Sequence, residues 1–312
     1  MKLSICIPVY NGADTISELV DKLQETFRGR DFEIVMANDG SRDNSSEVCQ
    51  SIVKKYSNVR FVDLRRNYGE HNAVMCTLNY CTGDYAAIID DDLQNPPEEI
   101  LKLMEEAEKG YDVVYAKYHK KKHSLFRNLG SKINDILATW LIGKPKNLYL
   151  CSFKLVNRAL INEIIKYKGP FPYIDGLILR ATNSYSAVFV EHKSREAGKS
   201  NYTLGKLIHL CLSMFVNFSI KPMRFMMGFG AVVMLMSVAL AVYFVIDKIL
   251  HPEIANGWTS LVALILFFGG LQTVFLGLIG EYIGKNYLDQ NGTPQFTVKK
   301  TYGIAETEEK SK

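Results

Sequence analysis

Three aspartates stand in a row directly after an apolar stretch of the chain, in IIDDDLQNPPEEI at residues 88–100. Asp90, Asp91 and Asp92 would repel one another if all three were ionised without a positive charge nearby. In an extended chain Asp90 and Asp92 share one face, and Gln94 follows two positions later. Carboxylate and amide oxygens are ligands that Mg²⁺ and Mn²⁺ accept together with water and phosphate. The spacing predicts that Asp90, Asp92 and Gln94 hold a divalent metal and, through it, a diphosphate.

The same residues have a purely structural interpretation. One aspartate could cap the helix that begins near Pro96 and Pro97, because proline is common in the first turn of a helix. The other two would then be solvated. The position of the three aspartates at the end of a predicted central strand, with Asp39 at the end of a neighbouring strand, favours metal binding.

A second polar sequence, NDGSRDNS, follows the second predicted strand. Asp39 could accept hydrogen bonds from a nucleobase, and Gly40 would let a ligand approach the main chain beside Ser41. Asp, Gly and Ser also favour ordinary turns. The sequence alone leaves both interpretations open.

The elements that must position these residues alternate along the first 118 residues. Apolar strands are predicted in KLSICIPVY, FEIVMAN, VRFVDL, YAAIID and YDVVYAKY, with amphipathic helices in DTISELVDKLQETF, SSEVCQSIVKKY, EHNAVMCTLNYC and PPEEILKLMEEAEKG. This alternation predicts an α/β fold with a doubly wound, mainly parallel sheet. Ligands bind at the carboxyl ends of such strands, where the aspartates lie. Neither G-x-G-x-x-G nor a P-loop follows the first strand, which argues against a dinucleotide fold.

Two long apolar stretches near the carboxyl terminus are each long enough to cross a bilayer as a helix. They span about 225–247 and 258–280, and the short link between them predicts a two-helix transmembrane hairpin. The alternative is a pair of core helices in a soluble protein. Basic residues precede the first apolar stretch and follow the second. Because basic residues favour the cytoplasmic side of a membrane, both termini are expected in the cytoplasm. These basic residues are Lys206, Lys221, Arg224, Lys285, Lys299 and Lys300.

Composition restricts the remaining possibilities. The chain has 312 residues, 47% of them hydrophobic, and a formal net charge of +4, which fits one large domain or two smaller ones. The six cysteines form no C-x-x-C pair, and the histidines lack a metal-ligand spacing. Aromatic and basic residues are not interleaved as in nucleic-acid-binding proteins, so no nucleic-acid partner is expected.

A basic segment, YHKKKHSLFRNLGSK, follows the fifth predicted strand. Arg127 and Ser131 are four residues apart and would form an anion site on one face of a helix. Lys120 to Lys122 fit a solvated charge run or attraction to anionic headgroups better. The later stretch NYTLGKLIHLCLSMFVNFSIKP is interpreted as an interfacial amphipathic helix, with a core helix as the alternative.

The motifs SICIPVYNG, ANDGSRDNS, RRNYGEHNAV and IIDDDLQNPPE together resemble the family-two inverting glycosyltransferases. The branch that includes dolichyl-phosphate mannose synthase and bacterial bactoprenol glucosyltransferases is especially similar. The likeness continues through SREAGKSNYTLGKLI and LGLIGEYIGKNY, and so covers nearly the whole chain. The resemblance implies a nucleotide-sugar glycosyltransferase A-type fold, a nucleotide-sugar donor, a polyprenyl phosphate acceptor, a Mg²⁺ or Mn²⁺ cofactor and a homo-oligomer.

Residue roles also follow from the resemblance. It places the nucleotide on Pro8, Tyr10, Asn11 and Asp39, with Gly40, Ser41 and Asp91 beside it. Asp90, Asp92 and Gln94 would surround the metal, and the catalytic group would comprise Asp90, Asp91, Asp92 and Arg127. The acceptor phosphate would contact Lys117, Arg127 and Ser131, and a mobile loop would contain Arg195, Gly198, Lys199 and Ser200. Lys117 and Lys154 stand where the family often has arginine, and lysine acts as a point charge without the bidentate geometry of arginine.

The expected organisation is a cytoplasmic glycosyltransferase domain at 1–200, an interfacial helix at 201–222, a transmembrane hairpin at 223–284 and a cytoplasmic tail at 285–312. The expected function is inverting, metal-dependent transfer of one hexose, with UDP-glucose as the first guess, to undecaprenyl phosphate at the bacterial inner membrane. The absence of Q-x-x-R-W favours a single sugar over a polymer. Two alternatives are transfer to a lipid hydroxyl such as diacylglycerol, which would need a base such as Asp91 or Asp175, and a non-catalytic nucleotide-binding scaffold.

Overall fold

The computed structural model of this chain describes residues 1–118, 139, 144–145, 148–193, 221–250 and 257–304. It divides into two compact units. The first comprises Met1–Tyr202 together with Gly292–Lys312, and the second comprises Thr203–Asn291.

The first unit is built on one eight-stranded sheet with the strand order β7-β5-β6-β4-β1-β2-β3-β8. The strands are β1 (Leu3–Val9), β2 (Phe32–Asn38), β3 (Val59–Leu64), β4 (Tyr85–Ile88), β5 (Val113–Tyr118), β6 (Lys154–Asn157), β7 (Tyr185–Val190) and β8 (Val298–Tyr302). The helices of this unit are α1 (Ile16–Thr26), α2 (Ser45–Lys55), α3 (Glu70–Tyr80), α4 (Glu99–Ala107), α5 (Arg158–Ile164) and α6 (Ile174–Ala181).

The sheet is mixed. Strands β3, β2, β1 and β4 are parallel neighbours, as the alternation of strands and helices predicts. Strand β6 lies antiparallel between β4 and β5, and β7 is parallel to β5. The carboxyl ends of β1, β2, β3, β4, β5 and β7 therefore lie along one edge of the sheet.

Helices cover both faces of the sheet and enclose two apolar cores. The apolar sides of α1, α2 and α4 pack on one face. Those of α3, α5 and α6 pack on the other. In helix α1 the sequence pattern predicts the buried face correctly. Four apolar residues recur at helical spacing and all are buried, namely Ile16, Leu19, Val20 and Leu23.

Strand β8 is an addition that the sequence analysis did not give, because residues 285–312 were expected to form a tail. Val298 to Tyr302 pair antiparallel with β3 and form an edge of the sheet. Tyr302 stacks on Phe61 with ring centroids 5.5 Å apart. The short strand supplies apolar side chains to the core while its exposed lysines, Lys299 and Lys300, keep the edge soluble.

The second unit contains two long apolar helices, α7 (Lys221–Leu250) and α8 (Trp258–Gln290). Phe229 of α7 meets Phe275 of α8 with ring centroids 6.3 Å apart. Within the described residues, Phe267–Gln290 is the one helical stretch long and apolar enough to cross a membrane, and Met223–Val233 is a shorter apolar stretch. Residues 201–220, most of the predicted interfacial helix, lie outside the described residues.

Candidate active site

The three aspartates after β4 lie at the carboxyl edge of the sheet, and each carboxylate has a different partner. Oδ2 of Asp90 accepts a 2.6 Å hydrogen bond from the Ser152 hydroxyl. Oδ2 of Asp91 accepts from the main-chain N–H of Tyr10 at 3.2 Å. Oδ1 of Asp92 accepts from the N–H of Gln94 at 3.2 Å. The acidic sequence is therefore held to the end of β1 and to the residues before β6.

The extended conformation assumed for these residues does not persist. Strand β4 ends at Ile88, Asp91 and Asp92 lie in a turn, and Leu93 has a left-handed φ of 59°. Strict alternation of side chains between two faces therefore cannot place Asp92, because that rule holds only within a strand. Long-range hydrogen bonds from Ser152 and Tyr10 fix the carboxylates of Asp90 and Asp91, and a local bond from Gln94 fixes that of Asp92.

The electrostatics of the turn show that its negative charge is poorly compensated. Partial burial raises the pKa of Asp90, the Ser152 hydrogen bond opposes the rise, and the charge of Asp92 adds to it. Partial burial raises the pKa of Asp91 to about 7, and the charges of Asp90 and Asp92 contribute to the rise. A cation among these groups would favour their ionised forms.

The donor set fits a hard divalent cation that completes its coordination with other oxygens. Asp90 and Asp92 are close enough for the charge of one to raise the pKa of the other. No group of three or more His, Cys, Asp or Glu side chains that could hold a metal occurs in the part of the chain that the structure describes. Mg²⁺ is commonly bound by one or two carboxylates plus substrate phosphates and water, which is the arrangement that Asp90 and Asp92 allow.

The loops after β1 and β2 are joined by their polar side chains. The Ser41 hydroxyl accepts from the N–H of Asn11 at 3.0 Å and donates to Oδ1 of Asn38 at 2.5 Å. Oδ1 of Asn11 accepts from the N–H of Arg42 at 2.9 Å. Asn11 has a left-handed φ of 53°, which asparagine tolerates better than most residues. Beside this joined pair of loops, the Tyr10 side chain is 45% exposed.

Gly40 is required by a close approach between two loops. Its φ is 62°, and a Cβ atom there would lie 2.5 Å from the main-chain carbon of Arg66. Gly40 and Ser41 also line a groove of about 580 Å³ that has Arg65 and Arg66 on its walls. Pro8 is buried within β1, where its Cα pairs with that of Ala37.

Asp39 has a structural role that the sequence did not reveal. Its carboxylate accepts hydrogen bonds from the N–H groups of Tyr68 at 2.6 Å and Gly69 at 2.8 Å. The side chain is 3% exposed, and burial raises its pKa against the effect of these two bonds. Asp39 thus fixes the loop that leads from β3 into α3, and its predicted contact with a nucleobase remains a prediction.

A buried ion pair lies beneath the aspartates, on the same face of the sheet. Lys154 of β6 pairs with Asp175 of α6, and the Tyr115 hydroxyl donates to the same carboxylate oxygen at 3.2 Å. Lys154 and Asp175 are 3% and 7% exposed. Because Asp175 is occupied by a buried lysine, it is poorly placed to act as a general base.

Two residues that the sequence analysis did not select belong to this neighbourhood. Ser152 follows no recognisable motif, and only the fold brings it to Asp90. Glu70 begins α3 within the RRNYGEHNAV motif. Although its side chain is partly exposed, restricted hydration raises the pKa of its carboxyl to about 7, and the charge of Asp90 adds to the rise.

The predicted acceptor residues are only partly within the described structure. Lys117 lies near the carboxyl end of β5, with its Nζ 4.8 Å from the centroid of the Phe189 ring. Arg127 and Ser131 lie outside the described residues, as do the four predicted residues of the mobile loop, Arg195, Gly198, Lys199 and Ser200. Their roles remain predictions.

Comparison with known proteins gives two family matches. Residues 4–165 match the family model "Glycosyl transferase family 2", and residues 221–285 match "GtrB C-terminal hairpin". The undecaprenyl-phosphate 4-deoxy-4-formamido-L-arabinose transferase of Yersinia enterocolitica is 34% identical over 98% of this chain and 95% of its own length. The protein of the same description from Edwardsiella ictaluri is 35% identical over 95% of this chain and 93% of its own.

Among solved structures, glucosyl-3-phosphoglycerate synthase of Mycobacterium tuberculosis, in complex with Mn²⁺, UDP and phosphoglyceric acid, has a similar fold. The TM-score is 0.52 at 17% identity, over 67% of this chain and 74% of that one. A mycobacterial protein gives a TM-score of 0.53 at 16% identity, over 69% of this chain and 72% of that one. These likenesses concern the fold alone.

Proposed function

This chain belongs to glycosyl transferase family 2 and carries the hairpin of the GtrB type, and from this premise we propose that it transfers one sugar to undecaprenyl phosphate. The donor would be a nucleotide sugar and the product a lipid-linked sugar with an inverted anomeric centre. The observation that carries the proposal is the acidic turn of Asp90, Asp91 and Asp92 at the carboxyl edge of the sheet, beside the joined loops after β1 and β2.

The proposed donor site follows from the chemistry of these groups. Asp90, Asp92 and Gln94 would hold Mg²⁺ or Mn²⁺ with the diphosphate, and Pro8, Tyr10, Asn11, Asp39, Gly40, Ser41 and Asp91 would contact the nucleotide. When bound, the cation would neutralise charge on the departing nucleoside diphosphate. Asp90 is fixed by Ser152 and Asp91 by Tyr10, so the carboxylates are oriented before the donor arrives.

The acceptor would be its own nucleophile. A phosphate monoester has a second pKa near 6 and is largely dianionic at pH 7, so no side chain must remove a proton. Lys117, with Arg127 and Ser131, would hold the anionic acceptor near the anionic donor, which it would otherwise repel. A single displacement at the anomeric carbon gives inversion. The pairing of Asp175 with Lys154 supports this scheme over transfer to a hydroxyl, which would need a free base.

The donor sugar is proposed from the relatives. UDP-glucose, the first guess from the sequence, has no support among them, because their names specify 4-deoxy-4-formamido-L-arabinose. We therefore place the nucleotide derivative of that sugar first among donors to be tested and UDP-glucose second.

The location is proposed from the helices of the second unit. The stretch Phe267–Gln290 and the hairpin match support an inner-membrane protein. The lysines and arginines before the first helix of the hairpin and after the second support cytoplasmic termini and a cytoplasmic catalytic domain. The proposed boundaries are a catalytic domain at 1–200, an interfacial helix at 201–222, a hairpin at 223–284 and a tail at 285–312, whose residues 298–302 return to the sheet.

The decisive experiment is a donor screen with the purified full-length protein. Undecaprenyl phosphate, diacylglycerol, Mn²⁺ and radiolabelled nucleotide sugars are supplied together, and the labelled lipids are separated by thin-layer chromatography. Labelled undecaprenyl phosphate is expected with one donor, and EDTA is expected to abolish it. Label in diacylglycerol alone would establish the hydroxyl-acceptor alternative. Intact nucleotide binding without a labelled lipid from any donor would establish a scaffold.

A further inference from the structure

Four side chains form a row across neighbouring strands at the carboxyl edge of the first unit. Lys117 of β5 and Phe189 of β7 are directly opposite each other in the sheet register. Tyr115 is opposite Lys154, and Ile88 is opposite Lys154 on its other side. If the pairing of β6 with β5 and with β4 is continued by two residues, Ser152 lies between Lys117 and Asp90. The 2.6 Å hydrogen bond from Ser152 to Asp90 agrees with this alignment.

The row lies on one face of the sheet. Tyr115 and Ala187, two residues before Lys117 in β5 and Phe189 in β7, both pack in the core on the α3 side, and side chains two apart in a strand share a face. Asp90 joins the row through its hydrogen bond with Ser152. Adjacent strands are about 4.8 Å apart, so Lys117 lies about 10 Å and Phe189 about 15 Å from Asp90 along the row. Along the row the chemistry changes from carboxylate to hydroxyl to ammonium to aromatic ring.

Phe189 is unusual because it is apolar and exposed. Within the described residues of the first unit, the large apolar side chains that are exposed are Met1, Tyr10, Tyr149 and Phe189. The Phe189 ring is 47% exposed although its strand neighbour Val190 is buried. Its ring lies 4.8 Å from Nζ of Lys117, so a cation and a partly exposed apolar side chain adjoin each other. The exposed ring therefore offers an apolar contact directly beside the ammonium group of Lys117.

A polyprenyl phosphate has this pair of properties in adjacent atoms, because its first isoprene unit is attached directly to the phosphate. We propose that Phe189 receives the first isoprene unit of the acceptor while Lys117 contacts the phosphate. The inference rests on the proposed function, since it concerns the acceptor of that reaction. It adds a residue that positions the acceptor, and it orients the lipid: the chain leaves the site on the β7 side, away from the aspartates.

The test is the KM for undecaprenyl phosphate in variants of Phe189, measured with the full-length protein at saturating donor. Phe189→Thr introduces a β-branched residue, which suits a strand, and removes the aromatic ring. We expect its acceptor KM to rise about tenfold, because the apolar contact between the ring and the isoprene unit is lost. Phe189→Leu keeps an apolar surface without the ring and is expected to stay within about twofold to threefold of the unaltered protein.

Tyr149→Ala is the matched control. Tyr149 is also 47% exposed, but its ring packs 6.4 Å from that of Tyr118, whose side chain points to the other face of β5 from Lys117. Its acceptor KM is expected to be unchanged. The KM for the donor should be unchanged in all three variants, which shows that each still folds and binds the nucleotide.

Each contrary result has a distinct meaning. An acceptor KM for Phe189→Thr within twofold of the unaltered protein overturns the inference. An equal rise in the acceptor KM for Phe189→Leu and Phe189→Thr would show that the ring acts only through Lys117. That result also overturns the proposed apolar contact with the isoprene unit. If the unaltered protein makes no lipid product from undecaprenyl phosphate with any donor, the proposed function itself fails, which the variants cannot cause.

Discussion

The Ser152 hydroxyl donates a 2.6 Å hydrogen bond to Oδ2 of Asp90, and so joins the residues before β6 to the acidic turn after β4. These residues are 62 positions apart in the sequence. The bond orients one carboxylate and opposes the rise in the pKa of Asp90 that burial and, to a smaller extent, the charge of Asp92 cause. The acidic turn is therefore fixed in place before any cation or diphosphate binds.

Asp92→Asn tests the metal assignment. We expect the rate of sugar transfer to fall by at least about two orders of magnitude, as for loss of a charge-stabilising group at a reacting centre. The measurement is the initial rate at several Mn²⁺ concentrations with the donor identified by the screen. Asp31→Asn is a suitable control, because Asp31 is exposed at the opposite edge of the sheet, where its main-chain carbonyl accepts from Leu3. Turnover near normal in Asp92→Asn would contradict the assignment.

Gly12→Ala should disturb the site through Asp91. A Cβ atom at position 12 would lie 2.2 Å from Oδ2 and 2.9 Å from Cγ of Asp91, so the carboxylate must move. Because small misplacements of binding groups are expensive in rate, we expect kcat/KM for the donor to fall roughly tenfold.

Gly29→Ala provides the comparison for this substitution. No atom lies within 4 Å of its added Cβ, but its φ of 79° strains any other residue. It should lower stability by about 1 kcal/mol without changing the kinetics. Equal kinetics in Gly12→Ala and Gly29→Ala would show that the position of Asp91 does not matter.

The buried pair of Lys154 and Asp175 predicts a stability effect that depends on which partner is lost. Asp175→Asn leaves a buried ammonium unpaired, and we expect a loss of roughly 3–5 kcal/mol in the free energy of unfolding. Replacing both residues, Lys154→Met with Asp175→Leu, should recover most of that loss because no charge remains buried. Denaturant unfolding of the full-length protein, monitored by circular dichroism, measures the free energy of unfolding of both variants.

The doubly substituted protein also bears on the mechanism. If it folds and still makes a lipid-linked sugar, Asp175 is not a required base. Absence of turnover in a folded double variant with normal nucleotide binding would instead favour the hydroxyl-acceptor scheme.

His71 predicts a dependence of stability on pH. Burial lowers the pKa of its imidazole to about 4, below the ordinary value of 6.5. The unfolded chain therefore binds more protons than the folded one between these values, so stability falls as the pH is lowered from 6.5 towards 4. His71→Asn should flatten this part of the curve of melting temperature against pH. An unaltered slope in His71→Asn would contradict the prediction.

Local patterns in the sequence determined the elements and the edge at which the ligands bind. The buried face of α1 follows from periodicity, because side chains three or four apart in a helix share a face. The strands β1 to β5 and the two long helices follow from the lengths of their apolar stretches. The α/β fold and the hairpin were predicted correctly for this reason. The acidic turn was found because three adjacent carboxylates after an apolar strand are uncommon without a cationic partner.

Only the tertiary structure decided which distant residues meet. The antiparallel placement of β6 brings Ser152 to Asp90, and the parallel pairing of β5 with β7 aligns Lys117 with Phe189. The packing of α6 pairs Asp175 with Lys154. The return of residues 298–302 to the sheet is a contact of the same kind. No local pattern encodes these contacts, because they depend on the order and register of strands far apart in the chain, and a shift of one residue would turn each side chain to the opposite face.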